Sequence, residues 1–524
     1  MANRGNAARK AERSDELRAQ KAFHNIVCNL LLQVVASIAG IILPRLFIVT
    51  YGSSINGLIT SIKQFLGYLN LVEAGVGFAA ITSLYEPLSR KDEKQINSVL
   101  AAARLFYLRS GAVFALLVAA LGIAYPFIVA DQVDFLTAAV MVAILGGSGA
   151  AEFFLVGKYS VLLTADQRSY ILSNVQTAGT LLNLVATVAL VWAGAGVLLV
   201  QAVSTAIYVA RVVLLSGYVA RNYPFADFRA APDFAALGAR WDVLIHQTTG
   251  LVVFTAPVVI ITVFCGLKEV SVFVVYNMVF AAVHQLIASF SSGLVAGFGE
   301  LMVSHNRQAL QKAYTNFEYI YYAVMTWAYV TAAALIMPFI ELYTRGVQDA
   351  NYIRPAVAAL FVVVGVANNI RVPANTIVNS AGHFRETRQK AIIEAAINLA
   401  VSVALVSHLG IAGVLLGSVC SYAYRTADFV VYVAGNILEQ SSWPTWRRII
   451  RNVVVGSLAL LPFAAYGPIT AAGYLQWFLW AAAVGTAVAA VIIAANWLAE
   501  PQSFKETLAR LRTIYHNISG ARPV

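Results

Sequence analysis

Gly196-Val197-Leu198-Leu199 returns 217 residues later as Gly413-Val414-Leu415-Leu416. At the same shift Ser204 meets Ser421 and Ala206 meets Ala423. Just upstream, Asn183-Leu184 and Ala189-Leu190-Val191 return as Asn398-Leu399 and Ala404-Leu405-Val406, shifted by 215. Near the start of each half, Asn56 corresponds to Asn277 and Lys63-Gln64 to His284-Gln285, a shift of 221. Each match is short and set in a monotonous apolar background. Similar offsets at three separate places predict a chain that contains one unit twice.

The material being repeated is membrane-spanning. Of 524 residues, 60% are hydrophobic and only 12% charged, with mean hydropathy +0.73, about half the charge of an ordinary soluble domain. The apolar runs predict about fourteen transmembrane helices, near 24–48, 56–84, 106–129, 135–157, 170–192, 196–218, 243–265, 270–298, 317–342, 355–380, 391–408, 411–435, 452–467 and 474–497. The expected fold class is therefore an all-α polytopic membrane protein. The repeat holds six spans, an even number, so both copies keep one orientation and relate by an axis along the membrane normal. The predicted organisation is a basic N-tail (1–23), an N-lobe (24–218, spans 1–6), a linker (219–242), a C-lobe (243–435, spans 7–12), a loop with two extra spans (436–497) and an amphipathic tail (498–524).

Charge sets the orientation. Counting Arg109 at the inner end of the third span, the segments on the side of the N-terminus hold 28 of the 36 Lys and Arg, and the opposite loops hold three, Lys268, Arg345 and Arg354. That asymmetry places both termini in the cytoplasm. No cleavable signal is expected, because the first apolar run is long enough to remain in the bilayer. The outer loops are short, the longest near Tyr343–Arg354, which argues against an enzyme working on the outer face. The sequence contains no zinc motif, phosphate-binding glycine loop or nucleophile elbow. The seven histidines are dispersed, and Cys28, Cys265 and Cys420 sit in apolar runs without ligand spacing. No cofactor or metal is expected. The basic N-tail lacks interleaved aromatics, so nucleic acid is not expected either. Phe504, Leu508, Leu511 and Tyr515 recur at helical spacing, which predicts an interfacial helix against anionic inner-leaflet lipid.

Ionisable groups inside spans cost roughly 2.5–3.5 kcal/mol each on insertion scales and mark candidate sites. Lys63 lies about 12 Å below the outer end of span 2, facing either a cavity or snorkelling outward. Glu73 sits in Glu73-Ala74-Gly75-Val76-Gly77, where two glycines permit a bend. Arg45 follows Pro44 near the outer end of span 1. Arg371 precedes Pro373, which interrupts span 10. His246 and His284 occupy spans 7 and 8, and the repeat matches His284 to Lys63 and Asn277 to Asn56. Arg211 reads as snorkelling at the inner end of span 6, and Arg425 with Asp428 as a structural pair. The substrate-cavity candidates are Lys63, Arg371, Arg45, His284, Glu73, Asn277 and His246. Their basic excess suits an anion, phosphate in particular.

Several stretches carry a resemblance. They are Leu43-Pro44-Arg45 through Tyr51-Gly52, Asn56-Gly57-Leu58 through Glu73-Ala74-Gly75, and Gly157-Lys158-Tyr159 through Ala165-Asp166-Gln167-Arg168. Further along come His246-Gln247, Gly266-Leu267-Lys268, Val275-Tyr276-Asn277-Met278 and Ala381-Gly382-His383-Phe384-Arg385-Glu386-Thr387. Over about residues 25–435 the chain resembles Wzx-like polysaccharide flippases of the multidrug/oligosaccharidyl-lipid/polysaccharide exporter superfamily. The resemblance implies two six-helix lobes around a basic cavity in a bacterial cytoplasmic membrane. It implies movement of an undecaprenyl-diphosphate-linked oligosaccharide by alternating access, with H+ or Na+ as possible coupling ion. In span 7, Phe254-Thr255-Ala256-Pro257 departs from the polar residues found in related chains. The rival readings are a drug or cation exporter of the same superfamily, which should prefer acidic cavity residues, and a membrane polysaccharide polymerase or ligase, which should carry a large outer loop.

Overall fold

The computed structural model describes residues 2–73, 76–234, 241–292, 294–304, 306–465, 467 and 469–509. The elements are α1 (Ala2–Tyr51), α2 (Ser53–Leu69), α3 (Val76–Arg90), α4 (Glu93–Ile128), α5 (Phe135–Ala151), α6 (Gly157–Ala165), α7 (Ser169–Trp192), α8 (Val197–Asn222), α9 (Trp241–Phe264) and α10 (Leu267–Ser292). They continue with α11 (Leu294–Val303), α12 (Arg307–Tyr343), α13 (Pro355–Ile370), α14 (Val372–Ala381), α15 (Phe384–Leu409), α16 (Ile411–Tyr432), α17 (Trp443–Ala465) and α18 (Tyr474–Ala499). No strand occurs among the described residues. The starts of α4, α5 and α12 are capped by Asp92, Asp134 and Asn306, whose side chains accept the amide hydrogens of Gln95, Thr137 and Ala309, satisfying donors that a helix start leaves open.

A helix covers each of the fourteen predicted ranges. Among the described residues ten helices are long and apolar enough to cross a membrane, and α2 with α3 passes as one bent span. Of the remaining three, α9 is described in its side chains from Thr248, where Thr248–Phe264 is apolar, and the other two carry reasons for falling short. In α16, Tyr422, Arg425 and Asp428 interrupt the run, and α17 opens on Arg447, Arg448 and Arg451. Arg425, Asp428, Arg448 and Arg451 make ion pairs inside the protein, described below. The chain is a multi-pass membrane protein.

Several spans are broken, and one break recurs in the two halves. The second span is α2, a 3-10 turn (Asn70–Glu73) and α3, meeting at a 45° bend. The fourth is α5, a π-turn (Glu152–Val156) and α6; the tenth is α13 and α14, divided at Arg371. The repeat offsets set Arg371 against 150–156, where the π-turn lies. Side chains have diverged, while this backbone irregularity, of a kind that commonly marks functional positions, keeps its place.

By internal contacts the chain forms two compact units, Met1–Ser271 and Val272–Val524. In the first, α2 packs against α9 and the α9–α10 turn. Ser61 and Thr262 share a hydrogen bond of 2.7 Å, and Asn56 donates to Ser271 Oγ at 2.8 Å. The approach is close at Gly57, where a Cβ would stand 1.9 Å from the Leu267 carbonyl oxygen. Gly266 (φ 90°) makes that turn in a conformation glycine favours. In the second unit, α17 and α18 pack on α12 around Val330, Leu335, Val484, Val488 and Ile492. Residues 501–509 form a further helix, in which Phe504 meets Trp497 and Glu506 pairs with Lys312. Leu511 and Tyr515 of the expected amphipathic tail lie outside the described residues.

Candidate functional site

In the first unit, Lys63 projects from α2 into a cavity of about 160 Å³. The wall opposite is polar: Asn183 and Thr187 from α7, and Gln201, Ser204, Thr205, Tyr208 and Arg211 from α8. Leu43 and Phe47 of α1 and Leu145 and Ser148 of α5 complete it. Among the described residues Lys63 makes no ion pair and no hydrogen bond. Arg211 lies over the Tyr208 ring at 4.8 Å and against Gly179, where a Cβ would come within 2.3 Å of its Nε. That Nε and Asn183 Oδ1 are buried without a hydrogen-bond partner. Unused donors and an unused acceptor around a small space are the signature of a site built for a polar occupant. Ligand pockets for drug-sized molecules run to about 300–1,000 Å³, so this cavity suits an ionic group and not a sugar.

Arg211 was missed by the sequence reading, which placed it at a helix end. The missing information was that Gly179 on α7 lets the guanidinium lie inward. Arg45 is half-buried on α1, between the cavity-lining Leu43 and Phe47. Two carboxylates accompany the site. Glu73 ends the 3-10 turn of the bent span and accepts from Tyr107 OH at 2.5 Å. Glu152 opens the π-turn and accepts from Tyr208 OH. Both acids are thus tied to tyrosines and not to Lys63.

The second unit arranges its charges differently. Arg371, at the α13–α14 break, is ion-paired with Glu394 of α15, donates to Asn368 Oδ1 at 2.8 Å, and covers the Tyr422 ring at 4.5 Å. Glu394 also meets Arg425 at 3.5 Å, and Arg425 meets Asp428 at 3.0 Å. Arg371, expected as a cavity candidate, therefore has an acidic partner that the sequence did not point to, Glu394 of the next span. The Arg425–Asp428 pair is present as expected. His284 Nδ1 lies 3.1 Å from Asn369 Oδ1, within a network joining Tyr321 and Tyr329 to the fully buried Asn369. Asn277 is exposed, while its repeat counterpart Asn56 is buried. The His246 side chain lies outside the described residues. The structure thus groups Lys63 with Arg211 in one unit, and Arg371 and His284 near each other through Asn368 and Asn369 in the other. No group of three or more potential metal ligands occurs among the described residues.

No family model matches the chain, and no curated relative does. Solved structures do. An inward-facing multidrug resistance MATE family transporter of the MOP superfamily aligns at TM-score 0.63 and 13% identity, covering 77% of this chain and 94% of that one. Lipid II flippase MurJ, in an inward closed conformation, aligns at TM-score 0.61 and 12% identity over 91% of this chain and 100% of its own. A MOP superfamily transporter from Pyrococcus furiosus, described as having a binding pocket of reversed polarity, aligns at TM-score 0.54 and 13% identity over 81% and 97%. At such identities the likeness is one of fold. The chain has the fold of MOP superfamily transporters.

Proposed function

We propose that the chain is a flippase that carries an undecaprenyl-diphosphate-linked oligosaccharide across the bacterial cytoplasmic membrane by alternating access, for cell-surface polysaccharide synthesis. The observation that carries this reading is Lys63, a cation inside a span that no carboxylate neutralises among the described residues, set in a small polar cavity with Arg211. Holding a charge within the bilayer without a partner is costly; an anionic substrate group repays it. In this reading Lys63 contacts the diphosphate, with Arg45 a second candidate contact in the same unit; His284 and Arg371 are the candidates of the second unit, Arg371 only if Glu394 releases it. The cavity's size leaves the glycan to water and the polyprenyl chain to lipid.

A second reading has its own observation. Glu73 and Glu152, half-buried and held by tyrosines at the two backbone breaks, are what a proton-coupled drug or cation exporter would use. Export assays separate the two. Lys63→Ala should abolish glycan export, with lipid-linked glycan accumulating inside at normal protein abundance, and Lys63→Arg should retain part of it. Normal glycan export by Lys63→Ala, with drug sensitivity in Glu73→Gln, would favour the exporter.

A further inference from the structure

Outside the cavity, four cations converge on the segment that joins α8 to α9. Arg104 of α4 donates to the Phe228 carbonyl at 3.4 Å. Lys158, the second residue of α6, stands 4.8 Å from the Tyr159 ring centroid and 5.6 Å from that of Phe228. Arg109 covers the Phe234 ring at 5.5 Å. Arg229 follows Phe228 directly, and its backbone amide donates to Asp227 Oδ1 at 2.8 Å. Tyr159 and Phe228 meet edge to face at 5.5 Å, making one aromatic floor. The joining segment is fastened over α4 by Asn97, which donates to the Phe225 carbonyl and accepts from the Asp227 amide, and by the Asp233 amide on the Ser98 carbonyl.

The arrangement is electrostatically unfavourable as it stands. Lys158 feels the positive charges of both Arg104 and Arg229, and among the described residues none of the four forms an ion pair. Other half-buried cations of the chain, such as Arg168 with Asp166 and Arg371 with Glu394, are ion-paired. Like charges held together on rings repel, and each ring offsets only part of that cost. An anion placed among them removes the repulsion and gains charge-assisted hydrogen bonds. Position narrows the anion further. Arg104 lies just before the span expected at 106–129 and Lys158 just after the one expected at 135–157, so the expected spans set both near the lipid headgroups, on the face that the charge asymmetry assigns to the cytoplasm.

We propose that Arg104, Lys158 and Arg229, flanked by Arg109 on the Tyr159–Phe228–Phe234 rings, bind a phosphate or diphosphate group at the membrane surface. The group belongs either to an anionic phospholipid or to a diphosphate-linked substrate waiting at the inner leaflet. The site is separate from the Lys63 cavity and does not rest on the flippase reading.

The test uses the full chain in nanodiscs of neutral phosphatidylcholine, with inorganic pyrophosphate as probe. Pyrophosphate should bind and raise the Tm, and Arg104→Gln/Arg229→Gln should weaken that binding about tenfold or more, the worth of one or two charge-assisted hydrogen bonds. Lys158→Gln should act in the same direction, whereas Lys63→Ala should leave the Arg104- and Arg229-dependent binding in place, so that loss of the export reading and loss of this site are told apart. Without pyrophosphate the double variant should be at least as stable as the parent chain, because the charges removed repel. Adding phosphatidylglycerol to the nanodiscs identifies the source: if it displaces pyrophosphate the occupant is bulk anionic lipid, and if it does not the site selects a diphosphate. Pyrophosphate binding that is absent, or unchanged in the double variant, overturns the proposal. So does a double variant that fails to fold, since that would make the cations structural.

Discussion

At the scale of single residues, the sequence exposed which side chains were costly but not what each one met. Lys63 and Arg371 both read as costly charges inside spans and as cavity candidates. Lys63 stays unpaired and lines a cavity, while Arg371 finds Glu394 on a span that the sequence does not connect to it. Periodicity reports which face of a helix is apolar, not which helix lies opposite. Gly57 is a position where a close approach was hidden in a common residue. Gly57→Ala would drive a methyl group into the Leu267 carbonyl, 1.9 Å from the new Cβ, and backbone cannot yield as a flexible side chain can. The variant should lose about 1–3 kcal/mol, seen as a lowered Tm in detergent, and Gly67→Ala, with its nearest neighbour at 3.9 Å, should lose much less. Equal stability of the two would mean that α2 and the α9–α10 turn are not in contact.

At the scale of elements, fourteen helices were legible because each buried or lipid-facing run is long and uniform. Charged residues interrupt the apolar runs of α16 and α17. The structure gives them a use: Arg425 of α16 closes the Arg371–Glu394–Asp428 cluster, and Arg448 of α17 joins Glu318 of α12 at 3.0 Å and Glu500 at 2.6 Å. Removing one member of such a buried cluster leaves charge uncompensated. Glu394→Ala should therefore destabilise by about 3–5 kcal/mol, measured by thermal unfolding, with Asp428→Ala costing less because Asp428 is less buried and Lys390 is near it at 4.0 Å. A harmless Glu394→Ala would show that the cluster is not formed.

Glu500, just past the end of α18, gives the same argument a pH dependence. Burial alone would raise its carboxyl pKa, but hydrogen bonds and charge from Arg448, then Arg451, outweigh burial and hold it at about 2, against 4.5 for a free glutamate. A carboxyl that is more acidic when folded stabilises the fold fully above its unfolded pKa and loses that contribution as pH falls toward the folded value. The stability gap between the parent chain and Glu500→Gln should thus be full above about pH 4.5 and narrow steadily toward pH 2. A gap that does not change over this range would remove Glu500 from the cluster.

At the scale of the whole molecule, the proposed orientation rests on a charge split of 28 to three, a signal that acts during insertion and needs no tertiary structure. Single cysteines in 343–354 should react with an impermeant thiol reagent applied outside whole cells, and cysteines in 385–390 should not. The reverse pattern would invert the topology and move the Arg104–Lys158–Arg229 site to the opposite leaflet. The repeat counts span 7 with the second copy, whereas α9 packs within Met1–Ser271, on α2. A repeat is a record of sequence, and packing follows which faces are complementary once the copies diverge.

The cluster of Glu318, Arg448, Arg451 and Glu500 also has a timetable. Its members are made in chain order, and about 180 residues separate the first from the last. At the usual pace of synthesis Glu318 waits on the order of ten seconds or more before Glu500 leaves the ribosome. During that wait α12 carries an acid with no arginine, and then α17 carries arginines with too few acids. The inserting chain is therefore chemically unfinished until α18 arrives. A product cut short before α18 would keep unmatched charge at the membrane boundary, the kind of defect by which a cell's quality control tells an incomplete membrane protein from a complete one.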